Sequence, residues 1–313
     1  MKNPLVSICV VTYNQQQYIR NCLVSVVTQE VDCDVEVLVG DDGSSDATCE
    51  IIESVAKEFP GKITLFRHAV NLGPTGNYQF LIEKAKGELI AHLDGDDFWL
   101  PGKLNSQIDY LRQHRECVAV YSNAVVINDK GEMIGAFNNK IPSPFDLDFL
   151  LSDGNFLNHS SMVYLARLKG EILVIRGPFI DYRMHLRLAQ HGLMGYTNLV
   201  HVVYRVGSTT SMISNQADNV RRLYLEALMD LPVEVRASKA MRSVMVKYYW
   251  GELLLLICRG HYSLLLSLLD TIYATAPQGT ALRVLLYPFL RFFPLLRTKI
   301  CGNLSQLKIY HPR

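Results

Sequence analysis

Three carboxylates fall within four residues at Asp94-Gly95-Asp96-Asp97, immediately after the apolar run Leu89–Leu93. Acids that close repel one another unless a cation or hydrogen-bond donors offset their charge. Hard divalent ions such as Mg²⁺ and Mn²⁺ take oxygen ligands and bridge a few carboxylates to phosphate oxygens. The cluster therefore reads as a metal–diphosphate site, with a solvated acidic turn as the plainer alternative. A second cluster, Asp41-Asp42-Gly43-Ser44-Ser45-Asp46, follows the apolar run Val35–Val39. Its carboxylates can accept hydrogen bonds from a nucleobase N–H or ribose hydroxyls, and Gly43 permits close approach. Ser45 or Asp46 also stands where it can cap the next helix. Capping by the later residues and ligand contact by Asp42 are both expected.

These clusters need a scaffold that ends its strands in one place. Val6–Thr12 is a short β-branched run of the kind that forms a buried strand, and Val35–Val39, Ile63–Arg67 and Leu89–Leu93 repeat the pattern. Between them, helical spacing runs over 17–29, 48–59 and 78–85, with a turn at Asn71-Leu72-Gly73-Pro74. Residues 103–114 read as helix and Cys117–Ile127 as strand. Region 138–160 is polar and irregular, 181–191 helical, and Leu199–Tyr204 a further strand. Strands and helices alternating at these intervals predict an α/β domain with a largely parallel sheet. Ligands bind at the carboxyl ends of strands in such sheets, which is where both acidic clusters stand.

Four ordered segments carry a family resemblance: VSICVVTYN from Val6, VLVGDDGSSD from Val37, NLGPTGN from Asn71, and AKGELIAHLDGDDFWLPGKL from Ala85. Together, over about residues 5–210, the chain resembles the inverting glycosyltransferases of family 2, bacterial polysaccharide type, with the GT-A fold. The resemblance implies that Thr12, Tyr13 and Asn14 line a base and ribose pocket. It implies that Asp42 holds the base edge, usually uracil, with Asp41 beside it, and that Asn71 and Gly73 border the nucleotide. Asp94-Gly95-Asp96 becomes the D-x-D motif. There Asp96 would ligate Mn²⁺ or Mg²⁺, Asp94 would contact ribose or the metal shell, and Asp97 would be the neighbouring acid.

Inverting transfer also needs a carboxylate to accept the proton of an attacking hydroxyl. By the same resemblance Asp181 is that base, followed by Arg187-Leu188-Ala189 in its helix; Ile180 stands where relatives carry Glu. The alternative for Asp181 is a simple helix cap. Tyr204-Arg205 resembles the family's Y-R segment, which folds over the diphosphate, but Gly207 replaces the His that many relatives have two positions after that Arg. A third protein metal ligand is therefore in doubt. The acceptor side falls to His159, or it is a buried structural histidine, and to Trp99, as a sugar platform or as core packing. No Q-x-x-R-W signature of processive synthases occurs, so a single transfer is expected.

The chain has 313 residues, 49% hydrophobic and 19% charged, enough for a large core, and disorder throughout is excluded. The net charge of +1 argues against nucleic acid as partner. Its distribution is uneven: residues 236–313 hold eleven Lys and Arg but only Glu252 and Asp270 as acids. Apolar stretches at 253–258, 264–269 and 284–296 lie in this basic part, each too short to span a bilayer. They read as interfacial helices on an anionic membrane surface, or as helices packed on the catalytic domain. The expected division is a catalytic domain over 1–215 and a helical, basic and apolar extension over 216–313. Seven cysteines without a C-x-x-C pair, and no apolar leader near Met1, suggest a reducing, cytoplasmic setting at the inner face of the membrane.

The expected donor is a nucleotide-sugar, most simply a UDP-sugar, and the expected acceptor a glycan hydroxyl, polyprenyl-diphosphate-linked in surface polysaccharide synthesis. Rival readings are a transferase for a protein or soluble acceptor, with the tail used for oligomerisation, and a catalytically silent nucleotide-sugar-binding scaffold. An NAD-dependent oxidoreductase is disfavoured, because no G-x-G-x-x-G follows the first strand.

Overall fold

A computed structural model describes residues 5–207, 217–258 and 308–311, with short stretches between 268 and 284. The Ser/Thr loop at 208–211 and most of the apolar stretches at 264–269 and 284–296 lie outside the described residues. The chain divides into two compact units, one of residues 1–146, 156–224 and 307–313, the other of 147–155 and 225–306.

The first unit is built on a sheet whose central strands are parallel. β1 (Val6–Thr12) is buried along its whole length, because its β-branched side chains meet helices on both faces. It pairs in parallel with β2 (Val35–Asp41) on one side and β4 (Leu89–Asp94) on the other, and β3 (Ile63–Arg67) extends the sheet beyond β2. Helices α1 (Ile19–Val27), α2 (Thr48–Glu58) and α3 (Gly73–Lys84) make the crossovers. The register sets Thr12 opposite Asp41 and Val11 opposite Asp94. One strand end thus separates the two acidic clusters.

One detail differs from the sequence expectation: α3 begins at Gly73 rather than near Tyr78, since Pro74, with its preset φ and missing N–H, suits the first turn of a helix. At the start of α2, of the two residues expected there, Asp46 makes the contact: its Oδ1 accepts the Thr48 N–H at 3.0 Å.

Beyond β4 the sheet becomes mixed. A short β5 (Phe98–Trp99) and α4 (Lys103–Gln113) lead to the long β6 (Cys117–Ile127), then β7 (Met133–Asn138). β8 (Val163–Leu165) lies antiparallel between β4 and β6, and β9 (Leu193–Arg205) runs parallel to β6 while pairing antiparallel with β5. β10 (Lys308–His311) adds to β7 in parallel. The expected mostly parallel α/β sheet is therefore present, with β5, β7 and β8 added.

Gly40 shows how tightly the β2 end is built. A Cβ there would lie 2.0 Å from Asn77 Oδ1, whose amide Nδ2 donates to the Gly40 carbonyl at 2.8 Å. That buried side chain fixes the strand just before Asp41.

The 138–160 region contains α5 (Leu147–Asp153) and a 3₁₀ turn over His159–Ser161. α6 (Lys169–Leu173) and α7 (Asp181–Ala189) follow β8. After α8 (Ala217–Met229), the second unit contains α9 (Val233–Arg236) and α10 (Lys239–Cys258), with Lys247 Nζ donating to the Ser152 carbonyl of α5. Among the described residues, no helix is long and apolar enough to cross a membrane.

Candidate active site

Three loops meet at the carboxyl end of β1. Asn14 sits at φ 52°, a left-handed conformation that Asn tolerates, so the chain reverses directly after Tyr13. Its backbone N–H donates to Ser44 Oγ at 2.9 Å, and its side-chain Oδ1 accepts the Ser45 N–H at 2.8 Å. Thr12 Oγ1 donates to Gln15 Oε1 at 2.8 Å. Tyr13 is 41% exposed over this junction.

The two neighbouring acids of the β2 end are used differently. Asp41 is fully buried, and its Oδ1 accepts the Ser44 N–H at 2.9 Å, which shapes the turn from inside. Asp42 faces the next loop: its Oδ1 accepts the Leu72 N–H at 2.7 Å and its carbonyl accepts Asn71 Nδ2 at 3.1 Å. Asn71 Oδ1 in turn accepts the Gly73 N–H at 3.0 Å. Thr12, Asn14, Asp41, Asp42, Asn71 and Gly73 are thereby brought into one hydrogen-bonded rim, with the exposed Tyr13 between the first two.

The other side of β1 carries the 94–97 turn. Gly95 fits there because a Cβ would come within 2.4 Å of Gln15 Oε1 and 2.9 Å of the Thr12 side chain. Asp94 Oδ1 lies 3.0 Å from His92 Nε2. Burial would raise the Asp94 carboxyl, but His92 and Ser160 beside it more than offset this and hold it below the ordinary carboxylate range. Asp97 is buried, accepts the Ser160 hydroxyl on Oδ2 and the Arg205 backbone N–H on Oδ1, and is pushed well up by burial, then by Asp96 and Asp94. Asp96 is half-buried at the turn's edge.

Arg205 closes over this turn. Its Nε donates to the Asp96 carbonyl at 3.3 Å and Nη1 to the Asn128 carbonyl at 3.0 Å, while the guanidinium lies 4.3 Å from the Tyr18 ring centre. Trp99 is only 2% exposed. Its indole Nε1 donates to the Ser160 carbonyl at 2.8 Å and its ring lies 3.8 Å from Lys103 Nζ, so it is packed beneath the turn rather than presented as an open platform.

Asp181 opens α7, following the extended Ile180, and its Oδ1 accepts the Tyr182 N–H at 2.8 Å. Its negative field reaches Tyr121 and also Tyr204, whose phenol is raised by burial and then by Asp97, Asp94, Asp181 and Asp96. One side chain on β9 thus senses both the 94–97 turn and Asp181. His159 packs against His92, the Asp94 partner, with ring centres 3.9 Å apart and planes tilted by 36°. The residues that sequence reasoning missed here are His92 and His185; Tyr204 stood in the Y-R segment, but its reach to both Asp181 and the 94–97 turn was not foreseen. Strand alternation was the available signal for the first, since His92 and Asp94 must share a face.

The donor set suits a hard divalent cation in a limited way. Three acids crowd one turn at an electrostatic cost that is visible at Asp97, and a cation would relieve it. Among the described residues, however, no group of three or more His, Cys, Asp and Glu side chains is arranged to hold a metal by itself. Asp96 and Asp94 are the residues that would hold one, leaving its other positions for ligand oxygens.

Residues 7–168 match the family described as glycosyl transferase family 2. An uncharacterized protein of Mycobacterium bovis is 31% identical over 205 residues, covering 64% of this chain and 58% of that protein. The chain thus spans less than two thirds of that relative's length. The Escherichia coli protein named UDP-Glc:alpha-D-GlcNAc-diphosphoundecaprenol beta-1,3-glucosyltransferase WfaP is 25% identical over 264 residues, 83% of this chain and 93% of its own. Among solved structures, the mannosyltransferase PcManGT of Pyrobaculum calidifontis, in complex with GDP-Man and Mn²⁺, superposes with a TM-score of 0.57 at 16% identity. That match covers 96% of this chain and 84% of the other, a likeness of fold.

Proposed function

This chain belongs to glycosyl transferase family 2 and has the GT-A fold, and on that premise we propose an inverting, metal-dependent, non-processive transfer of one sugar from a UDP-sugar to a glycan hydroxyl. The acceptor is proposed to be lipid-linked and part of a surface polysaccharide, in line with the diphosphoundecaprenol acceptor in the name of the WfaP relative. The basic, Leu-rich tail supports peripheral attachment to the inner face of the cytoplasmic membrane.

What supports this reading is that Asp181 and the acids of the 94–97 turn act on one side chain: the Tyr204 phenol is raised by burial, then by Asp97, Asp94, Asp181 and Asp96. Thr12, Tyr13, Asn14 and Asp42 form the proposed donor rim, with Asp41 shaping its floor and Asn71 and Gly73 its edge. Asp181, at the first turn of α7, is the proposed base, taking the acceptor hydroxyl's proton as the new bond forms. Arg205 is proposed to face the departing diphosphate from the roof of the turn. Asp96 and Asp94 would hold Mn²⁺ or Mg²⁺, whose charge stabilises the leaving diphosphate when it is bound. His159 is proposed to face the acceptor, and Trp99, packed beneath the turn, to hold the neighbouring Ser160 through its indole N–H.

The test is a panel of nucleotide-sugars offered to the full chain with Mn²⁺ and a synthetic polyprenyl-diphosphate glycan. Transfer from a UDP-sugar with inverted anomeric configuration, read by NMR of the product, supports the proposal. A retained configuration, or equal activity in EDTA, contradicts it.

A further inference from the structure

Behind the 94–97 turn stands a column of three histidines, two of which, His92 and His185, have no part in the proposed chemistry. His92 Nε2 lies 3.0 Å from Asp94 Oδ1. The His92 ring lies against His159 with centres 3.9 Å apart and planes tilted by 36°, and His159 Nδ1 lies 3.3 Å from His185 Nε2. The column is clamped by tyrosines: Tyr78 meets His92 edge-on at 4.7 Å, and Tyr121 meets His185 edge-on at 5.1 Å. His185 is fully buried on α7, four residues after Asp181, so the two share a helix face.

The arrangement is costly as packing alone. Nδ1 of His92 and Nδ1 of His185 are both buried without a hydrogen-bond partner. Apolar rings would fill the same volume without that penalty. Burial keeps the His159 and His185 imidazoles neutral, so one of the two facing nitrogens donates and the other accepts. The contact is directional where a pair of apolar rings would slide.

We propose that His185 is a positioning residue: through His159 and His92 it ties the helix that begins at Asp181 to the Asp94 carboxylate and so fixes the spacing between proposed base and donor site. This rests on the reading of Asp181 and Asp94 given above. The tie crosses from β4 through the 3₁₀ turn to α7 and uses no backbone pairing.

The test compares the full chain with His185→Phe, which keeps the ring volume, and His185→Gln, which keeps a donor and an acceptor. UDP affinity with Mn²⁺ is measured by calorimetry, turnover as UDP release from UDP-glucose and UDP-N-acetylglucosamine, and the imidazole nitrogens by long-range ¹H–¹⁵N spectra. His185→Phe is expected to hold UDP affinity within about 2-fold and to lower kcat between about 10- and 100-fold, the scale of a small misplacement. His185→Gln is expected to recover most of that loss, and His185→Phe to shift the His92 nitrogen resonances. Unchanged kcat in folded His185→Phe, or UDP affinity falling in step with kcat, overturns the proposal. If His185→Phe shows no cooperative unfolding, His159→Phe, which removes the same donor–acceptor pair, breaks the same tie and is judged by the same criteria. If the parent chain binds UDP yet transfers no sugar, the functional reading fails; the tie is then judged by the spectra alone, and unmoved His92 resonances overturn it.

Discussion

Asp97 Oδ1 accepts the backbone N–H of Arg205 at 2.8 Å, across 108 residues of chain. The bond fastens the acidic turn after β4 to the end of β9, and Ser160 holds the other carboxylate oxygen. The most deeply buried acid of the cluster is therefore a latch, which leaves the half-buried Asp96 at the edge where a ligand would arrive.

The latch predicts a graded response. Asp97→Ala leaves a buried N–H unpaired and should cost about 1–3 kcal/mol in urea unfolding. Asp97→Asn keeps an acceptor for Arg205 and should cost clearly less. Equal losses in the two variants would contradict the latch.

Gly95 gives a second prediction. A methyl group there would press on Gln15 and Thr12, so Gly95→Ala should be destabilising by about 1–3 kcal/mol. It should also weaken UDP binding, because Thr12 belongs to the proposed donor rim. Calorimetry with UDP and Mn²⁺ checks this, and wild-type affinity in the variant would show that Thr12 is not displaced.

Acid sensitivity follows from the histidine column. Burial, then the neighbouring His92, pushes His185 from 6.5 to about 3 and depresses His159 well below its ordinary value. Unfolding releases both, so below pH 6.5 the unfolded chain binds protons that the folded chain refuses. Their contribution is complete above pH 6.5 and is lost as pH falls, by up to about 1.4 kcal/mol per pH unit for each histidine. Urea midpoints from pH 7.5 to 5 should decline, and less steeply in His185→Phe. Identical slopes in the two proteins would contradict this assignment.

Much of this was legible in the sequence because strand runs and acidic clusters are local signals. Val6–Thr12, Ile63–Arg67 and Cys117–Ile127 form strands with the bounds their patterns indicate. β7 and β8 were not legible, since Met133–Asn138 has no strict alternation and Val163–Leu165 is too short to register. The rim residues could be named from motif resemblance, but their division of labour could not. That Asp41 turns inward while Asp42 reaches Leu72 depends on loops 30 residues apart. The column from His92 to His185 likewise joins three distant segments, none of which is unusual alone.

The cation prediction is direct. Mn²⁺ with UDP should raise the thermal midpoint of the parent chain more than UDP alone, and Asp96→Ala should abolish that increment. An increment that survives the substitution would remove Asp96 from the proposed ligand set.

The central claim is the role of Asp181, and one comparison addresses it most directly: transfer rate and UDP affinity measured side by side in Asp181→Asn. The account predicts transfer lower by about 10²- to 10⁴-fold, as expected for loss of a general base, with UDP affinity within about 2-fold of the parent. Transfer at the parental rate, or UDP binding lost together with transfer, would contradict it.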